Sequence, residues 1–115
     1  RTDIVGVNVN DTIDDLRKAC LNAELIVNCT SVGMAHTDTE DVSPIDVELI
    51  SEGSMVFDMV YNPNRTKLIK ECEQRKIKVV GGLWMLVYQG AKSFKIWTNK
   101  EAPTDLMYDA AMKAI

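Results

Sequence analysis

The sequence is poor in everything a metal centre or a disulfide framework needs. It has one histidine, His36, and three cysteines, Cys20, Cys29 and Cys72. The cysteines are odd in number and widely spaced, with no C-x-x-C pair, so neither a zinc-type ligand set nor a disulfide pattern can be read from them. They are expected to be reduced, mostly buried thiols of a cytoplasmic protein. An apolar run of membrane length is missing too. VVGGLWMLVYQGA (79–91) is broken by glycines and a glutamine and falls short of the ~20 residues a spanning helix requires. No signal-peptide pattern opens the chain, and RTDIV, without a Met, reads as the interior of a longer pattern. Positive charge is not concentrated. The 13 Lys and Arg are spread along the chain against 17 Asp and Glu, for a net charge of −4, which argues against a nucleic-acid partner. Internal repeats and low-complexity segments are also lacking.

What is present suits a single globular domain. The 115 residues are 46% hydrophobic and 26% charged, enough for a usable core but short for an enzyme that must hold a large cofactor and a substrate. IVGVNV (4–9) alternates as a strand does. DTIDDLRKACLNA (11–23) reads as a helix capped by Asp11 or Thr12, with Ile13, Leu16 and Cys20 on one face. ELIVN (24–28) is a short continuous apolar strand, the kind buried on both faces of a parallel sheet. Pro44 can open a short helix through Ile50, closed by Gly53. SMVFDMV (54–60) and IKVV (77–80) are further strands, and between them Thr66 caps a helix to about Lys76 with Leu68, Ile69 and Cys72 inward. A long helix follows over 83–97, and a last one from Pro103 to about 114. Strands alternating with helices predict an α/β fold, a Rossmann-like parallel sheet with flanking helices on both faces.

In such sheets ligands lie outside the carboxyl ends of the strands. Three ends are nominated: NCTSVGM (28–34), DMVYNP (58–63) and GGLW (81–84). Each carries small or polar residues that a plain connector would not need. On the third, Gly82 and Gln89 share a helix face, because seven steps of about 100° fall about 20° short of two turns. Leu83, Leu86, Val87, Phe94 and Trp97 form a second, apolar stripe expected to pack on the sheet. Each feature has a plainer reading. Gln89 can be a surface residue, Asp58 a turn cap, Tyr61 a half-buried aromatic, NCTSVGM an ordinary turn, and His36 a solvated group in an acidic loop.

Taken together, these blocks resemble the carboxyl-terminal part of shikimate dehydrogenase. The resemblance rests on NCTSVGM (family form N-A-T-S-x-G-M) and on DMVYNP followed by TKLI (family form D-x-x-Y-x-P with T-x-L-L). It rests above all on GGLWMLVYQGAKSFKIWT with a later Pro (family form G-L-x-M-L-V-x-Q-G-A-x-S-F-x-x-W-T), and it covers about residues 24–112. It implies the NADPH-dependent reduction of 3-dehydroshikimate to shikimate, with NAD as a possible alternative cofactor and quinate as a possible alternative substrate. It also implies residue roles: Thr30, Ser31 and Val32 beside the nicotinamide ribose, Met59 and Gly82 at the nicotinamide end, and Tyr61 and Gln89 on the substrate.

The departures are equally specific. The family's catalytic lysine motif, N-V-T-x-P-x-K, and its partner aspartate belong to an amino-terminal substrate domain that these residues do not contain. GVNVNDT (6–12) echoes that motif without its Pro or Lys. The glycine-rich pyrophosphate turn is also missing, and Arg1-Thr2 is too close to NCTSVGM to be assigned as the end of the family's N-R-T motif. Cys29 and Trp84 replace smaller residues, and Trp84 could narrow the nicotinamide side. The whole chain is therefore expected to be the second half of a cofactor domain, with no catalytic residue of its own. The other reading is a non-catalytic binding module that kept the fold. The 115 residues alone are expected to give no NADP-dependent oxidation of shikimate when NADPH absorbance is followed. Measurable turnover would mean the catalytic pair lies within them.

Overall fold

The computed structural model describes residues 3–8 and 10–115. Arg1 and Thr2, and the last position of the strand predicted over 4–9, lie outside the described residues. The described elements run α1 (Ile13–Leu21), β1 (Leu25–Asn28), a 3-10 turn (Val47–Leu49), β2 (Met55–Asp58), α2 (Lys67–Gln74), β3 (Lys78–Val80), α3 (Leu83–Thr98) and α4 (Thr104–Ala114). The strands form one parallel sheet in the order β1-β2-β3. Leu25 lies opposite Met55 and Asn28 opposite Asp58, while Phe57 lies opposite Val80. Parallel strands in this register send their carboxyl ends to the same edge, as the sequence predicts.

Helix starts follow the capping chemistry. Thr12 accepts from the Asp15 N–H at the head of α1, and Thr66 accepts from the Ile69 N–H at the head of α2. A hydroxyl in these places satisfies a backbone donor that the first turn leaves without a partner. The helix expected over 44–50 shrinks to one 3-10 turn. There Asp46 accepts from the Glu48 N–H and so starts the turn only at Val47, and Ile50 is already extended.

The core lies on one face of the sheet. Val56, Leu68, Cys72 and Ile77 pack with Val47 and Ile50 from the turn, and Ile26 and Val79 border them. The inward set predicted for α2, Leu68, Ile69 and Cys72, is buried. On α1 only Cys20 is buried, whereas Ile13 is exposed. Below the sheet, the Ser54 hydroxyl donates to the Ala23 carbonyl at 2.6 Å and the Met55 N–H to the Glu24 carbonyl at 2.9 Å. These bonds tie the amino ends of β1 and β2 together.

Three expectations are corrected. The residues of the 4–9 segment that are described, 4–8, form no strand, since no neighbouring strand among the described residues pairs with them, and Ile4 is 91% exposed. The sheet is not covered on both faces either. Leu25, Val27, Met55 and Val80 point to the face opposite the core and are all exposed. The apolar stripe on α3 also divides. Leu83 and Val87 are buried, but Phe94 and Trp97 are exposed, and α3 packs on α4, which meets its first half at Trp84 and Gly90. Trp84 stacks on Tyr108 of α4 with ring centroids 4.2 Å apart and on Tyr88 at 5.4 Å. The molecule is elongated as a result, 49 × 36 × 25 Å with a radius of gyration of 15.9 Å, where a compact chain of this length has about 13 Å.

The three cysteines are free, and two of them are buried as expected while Cys29 is exposed. Burial, with smaller contributions from Glu71 and Asp58, pushes the Cys72 thiol up to about 11, and burial also raises Cys20. Because only thiolates react readily, an alkylating reagent near neutral pH is expected to label Cys29 alone of these three in the folded protein. Peptide mapping checks this, and labelling of Cys72 without denaturant would contradict the packing described.

Candidate functional site

The site grows out of the first two strand ends. Asn28 closes β1 and Asp58 closes β2, each in the register position opposite the other. Both side chains are buried, Asp58 completely. A buried polar group is tolerated only where it is hydrogen-bonded, and both are. The Asp58 carboxyl group accepts from Asn28 Nδ2 at 3.0 Å, from the Val60 N–H at 3.1 Å and from the Thr66 hydroxyl at 2.6 Å. Asn28 uses its remaining capacity on its own loop. Its Oδ1 accepts from the Thr30 N–H at 3.0 Å and the Thr30 hydroxyl at 2.7 Å, and its Nδ2 also donates to the Val32 carbonyl at 3.3 Å. Two donors and two acceptor sites are all an amide has, so Asn28 is saturated.

The two loops are stitched twice more. The Met59 N–H donates to the Asn28 carbonyl at 3.1 Å, which extends the strand ladder by one rung. Farther out, the Ala35 N–H donates to the Asn62 carbonyl at 2.7 Å. Gly33 makes the intervening turn with φ of 94°, a left-handed conformation that a residue with a side chain rarely adopts. Between the inner and outer stitches lies a cavity of about 320 Å³. Thr30, Met34 and Ala35 line it from the first loop, and Met59, Val60, Tyr61 and Asn62 from the second. The wall is mostly apolar with hydroxyl and amide groups at intervals, the composition of a small-molecule site.

The structure thus brings Thr30, Met59 and Tyr61 to one cavity. Thr30 does so with its hydroxyl hydrogen already given to Asn28 and its oxygen accepting from the Val32 N–H at 3.1 Å. Ser31, Val32, Gly82 and Gln89 do not line the cavity. Ser31 is exposed, Val32 shapes the loop through its backbone, and Gln89 is exposed on α3. Gly82 has a different explanation from the one the spacing offers. A Cβ there would lie 2.3 Å from the Met59 carbonyl oxygen and 2.7 Å from its carbon. The space it clears is filled by the backbone of β2's loop, so Gly82 docks the start of α3 against Met59. Trp84 is held in its stack with Tyr108 and lines no part of the cavity.

Sequence reasoning missed the joint role of Asn28, Asp58 and Thr66. Each was visible only as a strand end, a turn cap or a helix cap. What unites them is the β1–β2 register, which no single segment encodes. Among the described residues no cluster of His, Cys, Asp and Glu could hold a metal ion.

A parallel α/β sheet with helices, and a cavity at the carboxyl ends of its strands, defines a Rossmann-like fold. Residues 82–112 match the family profile described as the shikimate 5'-dehydrogenase C-terminal domain. A shikimate dehydrogenase (NADP(+)) from Dehalococcoides mccartyi is 41% identical over 110 residues, which is 96% of this chain but 37% of that protein. The crystal structure of shikimate 5-dehydrogenase from Thermus thermophilus, in complex with NADP(H) and shikimate, superposes with a TM-score of 0.75 at 37% identity. It covers 87% of this chain, and the chain covers 37% of it. Quinate dehydrogenase from Corynebacterium glutamicum, in complex with NAD, gives a TM-score of 0.78 at 25% identity, covering 95% of this chain and 36% of that one. The chain is similar, along nearly its whole length, to the carboxyl-terminal part of shikimate dehydrogenase, and it spans little more than a third of such relatives.

The Gly82 contact generates a direct test. Gly82→Ala is expected to destabilise the protein by about 1–3 kcal/mol, because the clashing atoms are backbone and cannot swing aside. Gly90→Ala meets only the terminal methyl of Met107 at 3.0 Å, and is expected to be much milder. Urea unfolding of the two variants checks the contrast, and equal midpoints would contradict it.

Proposed function

We propose that this chain is the carboxyl-terminal part of an NADP-dependent shikimate dehydrogenase and supplies one wall of its nicotinamide and substrate site. The observation that carries the reading is the cavity joining NCTSVGM to DMVYNP, in a chain similar to shikimate dehydrogenase over 96% of its length. When bound, the cofactor would supply the hydride that interconverts 3-dehydroshikimate and shikimate. The cavity fits the nicotinamide end only: about 320 Å³ is at the lower bound of small-molecule sites, at roughly 300 Å³. Met59 would press its side chain against the flat ring, with Thr30, Ser31 and Val32 forming the ribose side. Gly82 would act through Met59, whose carbonyl it admits.

Tyr61 and Gln89 would orient the substrate by hydrogen bonds. Tyr61 is 38% exposed at the cavity mouth, and Gln89 stands on a rigid helix, which favours fixed placement. The lysine that handles the proton and the glycine-rich turn for the pyrophosphate would come from the part of such relatives that this chain does not span. The exposed sheet face of Leu25, Val27, Met55 and Val80 is consistent with such a neighbour, since parallel sheets are normally covered on both sides. A cytoplasmic location belongs to the same reading and rests on the odd, widely spaced cysteines.

A second reading, use of NAD with quinate, is favoured by the likeness to the Corynebacterium enzyme at a TM-score of 0.78. Steady-state kinetics of the whole protein with each cofactor and acid separate the two. In the same assay Gln89→Ala is expected to raise KM for shikimate at least tenfold, roughly the loss of one hydrogen bond to a charged or polar group, and to leave KM for NADP nearly unchanged. Equal effects on both constants would remove Gln89 from the substrate.

A further inference from the structure

Asp58 does not line the cavity, yet its side chain bonds to segments that carry both cavity walls. It is completely buried, and one carboxyl group holds three separate pieces of chain. Asn28 Nδ2 belongs to the first loop, the Val60 N–H to the second, and the Thr66 hydroxyl to the head of α2. Two of the pieces carry a second bond outward. Asn28 Oδ1 takes both polar hydrogens of Thr30, and Thr66 Oγ1 accepts from the Ile69 N–H at 3.3 Å. Val60, whose N–H is fixed to Asp58, lies between Met59 and Tyr61, both of which line the cavity. No buried side-chain nitrogen or oxygen among the described residues lacks a partner.

A stabilising core contact would not need this arrangement. An apolar pair at the ends of β1 and β2 would continue the hydrophobic strands without desolvating a carboxyl group. What a three-way polar joint adds is direction, because hydrogen bonds fix angles and distances where apolar packing tolerates sliding. We propose that Asp58, acting with Asn28 and Thr66, is a positioning residue. It sets the separation of Thr30 from Met59 and Tyr61, and hence the orientation of the nicotinamide ring relative to the substrate. This rests on the NADP reading of the cavity given above.

The geometry says which substitutions matter. In Asp58→Asn the amide oxygen can still accept from Asn28 and Val60, and its NH₂ can donate to the Thr66 oxygen, because a hydroxyl can turn to accept. In Asp58→Ala all three partners lose their acceptor. Thr66→Val keeps the shape of the side chain and removes only the hydroxyl, at a residue that does not line the cavity.

The test is steady-state kinetics on the whole protein, below the melting temperature of each variant as found by circular dichroism. Asp58→Ala is expected to lower kcat with NADP and shikimate by roughly 100-fold, the scale on which small misplacements of reacting groups act. Asp58→Asn should restore it to within about fivefold of wild type. Thr66→Val should lower kcat roughly tenfold, with KM for shikimate nearly unchanged, and Thr66→Ser should recover most of the loss. A folded Asp58→Ala protein with kcat within twofold of wild type overturns the positioning role. If Asp58→Ala does not fold, the Thr66 pair decides. Loss of kcat in Thr66→Val that Thr66→Ser recovers supports the proposal, and unchanged kcat in Thr66→Val overturns it. A wild-type protein that turns over no shikimate with NADP overturns the cofactor reading and this proposal with it.

Discussion

A carboxyl group shut away from water at the end of a strand is the constraint on which the rest of the site depends. Asp58 has no route to solvent, so its oxygens must find donors within the protein. They find them in Asn28, Val60 and Thr66, which lie on three different segments. Meeting that demand draws the first loop, the second loop and the head of α2 to one point. The shape of the cavity follows. Its walls are the loops held together by the joint at Asn28 and Asp58, and the Ala35 to Asn62 backbone bond links them again farther out.

The opening of NCTSVGM on an amide and a hydroxyl gains a physical meaning from this. Asn28 spends both donors and both acceptor sites, two of them on Thr30. The loop is therefore rigid because of its side-chain chemistry and not because of bulk. Small residues beyond it leave room above the backbone, and Gly33 allows the chain to turn where a side chain would strain it. Gly82 contributes from the third strand end by letting the head of α3 rest on the Met59 carbonyl. Two of the three strand ends thus build the wall, and the third buttresses it.

Much of this was legible in the residues. The caps at Thr12 and Thr66 and the three strands were read from periodicity and capping chemistry, and parallel order sent the strand ends to one edge. The family resemblance points to Thr30, Met59 and Tyr61, and these three line one cavity. What could not be read has two physical sources. Strand register is a property of pairs, so the opposition of Asn28 and Asp58 is invisible in either segment alone. Burial depends on what lies across a face. An apolar run such as Leu25–Val27 looks the same whether its second face is covered or open, and the stripe on α3 does not say that Phe94 and Trp97 at its far end will stay exposed. Over the described residues 4–8, the expected strand fails for the same reason: alternation gives the propensity, while pairing needs a neighbour.

The account stands or falls on where a nicotinamide ring sits. A crystal structure of the proposed whole protein with NADP and shikimate measures this directly. The ring is predicted to lie against Met59 between Thr30 and Tyr61, with the Asn28–Asp58–Thr66 bonds intact beneath it. A ring bound away from this cavity, with NCTSVGM and DMVYNP in contact with no part of the cofactor, would contradict it.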